Sequence, residues 1–231
     1  MLTHARRVFA PIALALALLW TGCSHNPYLM PAPTANVLAG HPKEASSGVH
    51  GVELVANGDA WHGDPSDLER VLTPVEVTIE NHSEHPLRFR YREFQLLTSN
   101  GFRSYVLPPY KISGSVTKYE PVSPGFYSNG FLLAPYYGGF YPGFGVWPGP
   151  FAWDWGYYPS YYVWQESLPT ANMISKALPE GVLEDGGKVQ GFVYFQKLPK
   201  DATGATLIYD LVDADTGQTF GTLHIPFTAK H

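Results

Sequence analysis

Apolar and polar residues alternate in several short stretches of this chain, and turn-forming residues separate one stretch from the next. The alternation is clearest in residues 75–80 and recurs in residues 51–56, 87–92 and 206–212. Successive side chains of a β-strand point to opposite faces of a sheet, so an alternating stretch buries one face and exposes the other. These stretches are therefore predicted to be half-buried β-strands.

Turn-forming residues connect the predicted strands. Residues 81–86 contain Asn, Ser and Pro and are predicted to close a β-hairpin in which Arg88, Arg90 and Arg92 face water. A second strand pair is predicted on either side of residues 98–101. Six or seven short antiparallel strands separated by such turns predict an all-β fold, an antiparallel two-sheet sandwich.

Each predicted strand places a set of apolar side chains on one face. We expect these side chains to meet in a common core between the two sheets. They are Val75, Val77, Ile79, Phe89, Val193, Phe195 and Ile208. One helical turn is predicted at residues 64–70, with Asp64 as its N-cap and Pro65 at its first position.

The N-terminus has the three-part organisation of a secretory signal peptide. Arg6 and Arg7 form a basic start, residues 8–20 form an apolar run, and small residues follow. The apolar run is 13 residues long, whereas a helix that spans a bilayer needs about 20 residues. Residues 1–22 are therefore predicted to be a cleaved signal peptide rather than a transmembrane segment.

Residues 21–23, which read Thr-Gly-Cys, resemble the lipobox of bacterial lipoproteins. The resemblance implies acylation of Cys23, cleavage on its amino side, and anchoring of the mature chain to the bacterial cell envelope. In that family an Asp after the cysteine favours retention on the inner membrane, so Ser24 implies the outer membrane, facing the periplasm. Cys23 is the only cysteine of the chain, so no intramolecular disulfide is expected.

The charge balance limits the kinds of partner that the chain can bind. It has 15 Lys and Arg residues against 20 Asp and Glu residues, and its formal net charge is −5. Nucleic-acid binders generally present a basic patch, so no nucleic-acid partner is expected. Residues 23–47 are rich in Pro, Ala, Ser and Asn and are predicted to form a flexible tether, followed by a β-sandwich domain at residues 48–228.

A segment of unusual composition is predicted to interrupt the sandwich domain at residues 121–168. Its central part, residues 125–164, contains 17 aromatic residues, eight Gly and five Pro, and Asp154 is its only charged residue. So much Gly and Pro argues against a helix, and no alternation persists. Residues 125–164 are therefore predicted to be a long aromatic, Gly- and Pro-rich loop.

Three interpretations of this aromatic segment remain open. It is an insertion without a role, a set of rings for the membrane interface, or a stacking platform for a glycan or an extended partner peptide. The candidate interaction surface consists of Tyr136, Tyr137, Phe140, Tyr141, Trp147, Trp153, Trp155, Tyr157 and Tyr158.

The sequence contains no arrangement of residues that is typical of an enzyme. Gly-x-Ser-x-Gly and related nucleophile motifs are lacking, and the one cysteine is predicted to carry lipid. His82 and His85 are three residues apart, but zinc normally recruits a further ligand with its own spacing, so neither a metal site nor a cofactor is expected. Asp213 and Asp215 are interpreted as turn residues rather than calcium ligands.

Residues 75–87, with Phe94 downstream and the Gly-Phe-Val-Tyr-Phe stretch at residues 191–195, resemble immunoglobulin-like domains of secreted bacterial lipoproteins. The resemblance covers residues 49–120 and 170–228. It implies an immunoglobulin-like sandwich but no particular function. The chain is therefore predicted to be a non-enzymatic envelope lipoprotein that acts as an interaction or structural module at the membrane surface, with an envelope protein or a glycan as its partner. The alternative is a glycan- or ligand-binding module that uses the aromatic segment.

Overall fold

The computed structural model describes residues 28–121 and 161–230. Fourteen β-strands and one short α-helix, α1 (Ala171–Lys176), account for most of the regular structure in these two ranges. Twelve of the strands form two antiparallel sheets, and the other two form a separate antiparallel ribbon. The prediction of an all-β antiparallel sandwich is therefore confirmed.

The five-stranded sheet contains the most strongly alternating strand of the sequence. In spatial order its strands are β12 (Lys188–Gln196), β5 (Leu72–Asn81), β4 (Val52–Asn57), β3 (His41–Val49) and β2 (Asn36–Leu38). Every neighbouring pair in this sheet is antiparallel. β12 and β5 pair along almost their whole length, so Gly191 lies opposite Val77 and Val193 lies opposite Val75.

The seven-stranded sheet is built around the C-terminal hairpin. This hairpin consists of β13 (Gly204–Asp213) and β14 (Thr219–Lys230). β1 (Tyr28–Pro31) pairs with β14, whereas β6 (Leu87–Phe89) and β7 (Phe94–Thr98) pair with different ends of β13. β8 (Arg103–Tyr105) pairs with β7, and β11 (Gly181–Leu183) pairs with β6.

The main core lies between the two sheets. It combines Leu54 and Val77 of the five-stranded sheet with Leu207 and Ile225 of the seven-stranded sheet, all fully buried. Six of the seven predicted core residues are buried in it. These are Val75, Val77, Ile79, Phe89, Val193 and Phe195. Full burial of one such side chain stabilises a fold by about 1.5–3 kcal/mol, so the alternation of residues 75–80 decides which face of β5 turns inward.

The seventh predicted core residue, Ile208, faces away from the core. Ile208 is only half-buried, whereas its neighbours Leu207 and Tyr209 are fully buried. A strand places every second residue on one face, and the set that contains Ile208 also contains Thr206 and Asp210. The prediction for β13 was therefore wrong by one residue, because both alternating sets contain apolar side chains.

Residues 81–86 do not close the predicted hairpin, because β5 and β6 belong to different sheets. The segment instead crosses from one sheet to the other. Asn81 at the end of β5 is fully buried, and its side-chain amide donates hydrogen bonds to the carbonyl oxygens of His85 at 2.8 Å and Leu183 at 2.9 Å. A buried amide needs hydrogen-bond partners, and here one lies within the crossover and the other lies in the opposite sheet.

The prediction that three arginines face water is right for Arg90 and Arg92, which are exposed, and wrong for Arg88. Residues Tyr91–Glu93 form a 3₁₀ turn instead of continuing β6. The side chain of Arg88 is 19 % exposed, and its Nη2 lies 3.0 Å from Oε1 of the buried Glu93. This ion pair offsets the cost of removing the two charges from water.

The predicted tether at residues 23–47 is wrong from residue 28 onward, because β1, β2 and most of β3 lie within it. Leu29 of β1 is fully buried in the main core. β3 lacks apolar alternation because its buried residues are the small Ala45 and Ser46. Strands that bury few large side chains give no periodic signal. Cys23 and the predicted signal peptide, residues 1–22, lie outside the described residues.

The two remaining strands form a ribbon at the ends of the aromatic segment. β9 (Gly114–Pro121) and β10 (Tyr161–Leu168) are antiparallel partners. The prediction of a loop over residues 125–164 is therefore wrong for residues 161–164, and all of β10 lies within the insertion predicted at residues 121–168. The Tyr-Tyr-Val-Trp start of β10 has the composition of a strand, but it continues the aromatic composition of the preceding segment and is hidden by it.

A second, smaller core covers the outer face of the five-stranded sheet. Phe192 and Tyr194 of β12 belong to it, because they alternate with the residues that enter the main core. Its buried members are Trp61, Leu68, Leu72, Ile112, Met173, Phe192 and Tyr194. The helical turn predicted at residues 64–70 is present only as the 3₁₀ turn Leu68–Arg70, and Asp67 rather than Asp64 precedes it.

Candidate functional site

The predicted interaction residues lie outside the described part of the chain. The nine aromatic residues from Tyr136 to Tyr158 fall between residues 122 and 160, and the predicted lipidation site, Cys23, precedes residue 28. The ribbon that carries both ends of the aromatic segment is described, and so are the surfaces around its base.

The ribbon holds the two ends of the aromatic segment side by side. β9 and β10 pair continuously from Gly114 opposite Leu168 to Pro121 opposite Tyr161. Paired Cα atoms of antiparallel strands lie about 4.5–5.5 Å apart. Residues 122–160 therefore leave and re-enter the described structure at adjacent positions, and an insertion of this kind can be long at little entropic cost.

The second core fixes the base of the ribbon. Leu168 at the end of β10 packs against this core, and α1 begins directly afterwards. The Thr170 hydroxyl accepts a hydrogen bond from Met173 N at 3.2 Å as an N-cap, and it donates one to the carbonyl oxygen of Asp64. Met173 itself is fully buried, so the cap and the side chain together hold α1 on the sheet.

Two buried tyrosines donate hydrogen bonds to α1 and to the chain that follows it. Tyr91 Oη donates to Leu178 O at 2.7 Å, and Tyr194 Oη donates to Met173 O at 2.9 Å. Burial raises the pKa of Tyr91 to about 12, and burial also raises the pKa of Tyr194. Both phenols are therefore protonated hydrogen-bond donors at neutral pH.

Gly191 allows the segment after α1 to approach β12. A Cβ atom at this position would lie 2.5 Å from Leu178 Cα, which is closer than two carbon atoms can pack. Leu178 N donates to Phe192 O at 2.9 Å, and Leu107 N donates to Tyr194 O at 2.7 Å. These bonds cover the outer edge of β12 in place of a further strand.

An open groove of about 720 Å³ lies beside this edge, and we call it the Tyr110 groove. Glu76 and Gln190 line it from the five-stranded sheet, and Lys176 lines it from α1. Tyr110 and Ile174 also line it, and they are 71 % and 57 % exposed. A groove of this size, with apolar surface and a few polar side chains, suits a small ligand.

A second cavity, of about 590 Å³, is lined by residues that include His50, His85 and Asp213. Asp213 Oδ1 accepts hydrogen bonds from Thr216 N at 2.7 Å and from Thr216 Oγ1 at 2.9 Å, and these bonds lower the pKa of the carboxyl group. Asp213 therefore holds the turn between β13 and β14. Within residues 28–121 and 161–230, no group of three or more His, Cys, Asp or Glu side chains could hold a metal ion.

Comparisons with protein-family models, with curated proteins and with solved structures found no match. Of the helices in the two described ranges, none has the length and apolar character needed to cross a bilayer. Function is therefore inferred from the residues of this chain.

The sequence does not predict the Tyr110 groove. Its walls come from the 3₁₀ turn Pro109–Lys111 and from residues 174–179, which are distant in sequence and have no periodicity. Two local signals point to it. Thr170 is an N-cap residue type followed by a short helix-compatible stretch, and Gly191 interrupts a strand of bulky residues, which often marks the close approach of another backbone segment.

Proposed function

We propose that this chain is a non-enzymatic lipoprotein of the bacterial cell envelope, with an immunoglobulin-like sandwich that presents the aromatic segment at the membrane surface. Residues 122–160, the part of the aromatic segment between the two ribbon strands, contact an envelope protein or the membrane interface. Lipid on Cys23 anchors the protein to the outer membrane, and the sandwich faces the periplasm.

The observation that carries the proposal is the pairing of Pro121 with Tyr161 at the end of the ribbon. The described strands of both sheets pair with one another within residues 28–121 and 161–230. Residues 122–160 contain 14 of the 34 aromatic residues of the chain and a single charged residue. Tyr and Trp favour both the membrane interface and protein interfaces, so a segment of this composition is suited to bind either one.

The position of β1 supports a role close to the membrane. β1 begins at Tyr28, so residues 24–27 separate it from Cys23. Four residues span at most about 14 Å. A lipid on Cys23 would therefore hold the sandwich close to the bilayer surface, within reach of an aromatic segment of 39 residues.

The central experiment removes residues 122–160 and joins Pro121 to Tyr161 through Asn-Gly, a pair that closes two-residue hairpin loops. The shortened protein is expected to unfold cooperatively, because both sheets keep all their strands from residues 28–121 and 161–230. Its co-sedimentation with vesicles of phosphatidylethanolamine and phosphatidylglycerol, and its crosslinking to envelope proteins in cells, are expected to fall. A matched control replaces the 39 residues by Gly and Ser, which keeps the length and removes the rings.

Two results would contradict the proposal. A shortened protein that no longer unfolds cooperatively would mean that the aromatic segment contributes to the core. Unchanged vesicle binding and unchanged crosslinking in both altered proteins would mean that the rings do not mediate the interaction. The anchor is tested separately with Cys23→Ser, which should release the protein from membranes after a high-salt wash.

A further inference from the structure

We propose that the Tyr110 groove binds a neutral saccharide chain. The proposal rests on side chains of the described residues alone, and the experiment below tests whether residues 122–160 contribute to binding. Three features carry the proposal: an exposed aromatic ring, polar side chains on the neighbouring strands, and an adjoining sheet edge that is occupied at two of its carbonyl oxygens.

The first feature is the orientation of Tyr110. It lies in the 3₁₀ turn Pro109–Lys111, and the next residue, Ile112, is buried in the second core. The turn is therefore fixed from below, while the Tyr110 side chain remains 71 % exposed. An aromatic ring that is held outward beside a groove can stack against the apolar face of a sugar ring.

The second feature is the floor of the groove. Glu76 lies opposite Phe192 and Gln190 lies opposite Thr78 in the pairing of β5 with β12. Glu76 and Gln190 therefore project from neighbouring strands on the same face of the sheet. One residue pair, Gly191 and Val77, lies between their positions. A carboxylate accepts hydrogen bonds from hydroxyl groups, and an amide both donates and accepts them. Together they can bind neighbouring hydroxyls of one sugar unit.

The charges of the groove favour a neutral ligand. Among the described residues that line it, Glu76 and Lys176 carry the formal charges, one of each sign. This part of the lining therefore has no excess charge to select a phosphate, a polyanion or a cation. The net charge of the whole chain, −5, adds no attraction for anionic polymers.

The third feature distinguishes a saccharide from a peptide. Peptides commonly bind sheet proteins by adding a strand to a free edge, where main-chain hydrogen bonds supply affinity. At the groove two acceptors of this edge are occupied, because Leu178 N donates to Phe192 O and Leu107 N donates to Tyr194 O. A ligand beside these two residues binds through side chains, and a saccharide, which has no main-chain amides to pair, is suited to that mode.

The test measures binding of two neutral trisaccharides, N,N′,N″-triacetylchitotriose and cellotriose, to the purified full chain by titration calorimetry. At least one is expected to bind, and Tyr110→Ala should weaken that binding about tenfold, which corresponds to about 1.4 kcal/mol of lost stacking. Glu76→Gln and Gln190→Ala should weaken it several-fold. The matched control is Tyr105→Ala, which removes another exposed tyrosine, on β8, and should leave binding unchanged.

Thermal unfolding of each variant shows whether it is folded, and exposed positions such as Tyr110 should leave the melting temperature unchanged. The proposal is overturned if neither trisaccharide binds at millimolar concentration, or if a folded Tyr110→Ala protein binds as tightly as the unaltered one. It is also overturned if a neutral proline-rich decapeptide binds in a Tyr110-dependent manner and the sugars do not. Binding that persists when residues 122–160 are replaced by Gly and Ser supports the groove and separates it from the aromatic segment.

Discussion

The side-chain amide of Asn81 donates a 2.9 Å hydrogen bond to the carbonyl oxygen of Leu183, and this bond joins the last residue of β5 in one sheet to the last residue of β11 in the other. The same amide donates to His85 O, and the Asn81 side-chain oxygen accepts from Ser83 N at 3.2 Å and Ser83 Oγ at 2.6 Å. The buried Asn81 side chain thus forms hydrogen bonds with the backbone of the crossover and links it to the opposite sheet.

Replacement of Asn81 by Ala should destabilise the sandwich strongly. We expect the free energy of unfolding to fall by about 2–4 kcal/mol, because the carbonyl oxygens of His85 and Leu183 lose their donor next to the core. Urea denaturation followed by far-ultraviolet circular dichroism measures this change. Ser83→Ala is the matched control and should cost less than about 1 kcal/mol. Equal losses in the two variants would contradict the role of Asn81 as the cross-sheet tie.

Two buried tyrosines are expected to respond in opposite ways to the loss of their hydroxyl groups. Tyr209 stacks on Phe94 with ring centroids 4.2 Å apart, and its buried hydroxyl has no hydrogen-bond partner among the described residues. Tyr209→Phe should therefore raise the free energy of unfolding by about 1 kcal/mol, because an unpaired buried polar group is removed. Tyr194→Phe should lower it by about 1 kcal/mol, because the bond to Met173 O is lost. A Tyr209→Phe protein that is less stable than the unaltered one would point to an unseen partner of this hydroxyl.

How far each strand can be predicted depends on what covers its two faces. β5 is predictable from residues 75–80, because one of its faces meets the main core and the other is only half-buried. In β12, residues 191–195 are all buried, since Val193 enters the main core and Phe192 enters the second core. A strand that is covered on both faces keeps its apolar character and loses its alternation. The second core was therefore not visible in the sequence.

The aromatic segment and the Tyr110 groove also differ in how far the sequence predicts them. Composition alone marks the aromatic segment, and residue 121 is both its predicted start and the last residue of β9. The predicted end at residue 168 misses β10, because the aromatic and β-branched residues of this strand extend the same composition. The Tyr110 groove depends on contacts between distant parts of the chain, such as Trp61 against Phe192 with ring centroids 5.1 Å apart. No local pattern encodes such a contact.

The phenol of Tyr91 should make the stability depend on alkaline pH. A tyrosine in the unfolded chain has a pKa of about 10, and burial raises the pKa of Tyr91 to about 12 in the folded protein. The folded state holds the proton more tightly, so this contribution is fully present below pH 10 and is lost as the pH rises towards 12.

The measurement is the free energy of unfolding in urea between pH 8 and about 12, the range in which phenols ionise. Tyr91→Phe should be less stable at pH 8, because the hydrogen bond to Leu178 O is absent. Its stability should then fall less steeply above pH 10 than that of the unaltered protein. Parallel curves for the two proteins would mean that Tyr91 ionises equally easily in the folded and unfolded states.

The carboxylate of Glu69 should reduce stability at neutral pH. Burial raises its pKa, the nearby Asp59 and Asp67 carboxylates raise it further, and its Oε2 atom is buried with no hydrogen-bond partner among the described residues. A raised pKa in the folded state means that this group is most favourable to folding below pH 4.5, its ordinary value, and less so as the pH rises.

Glu69→Gln removes the charge and should stabilise the protein at pH 7 by less than about 1 kcal/mol, because the half-exposed group is partly screened by water. The gain should shrink towards pH 4, whereas Glu184→Gln, at an exposed carboxylate, should change stability little at either pH. A loss of stability in Glu69→Gln at pH 7 would show that the charged form makes a favourable contact.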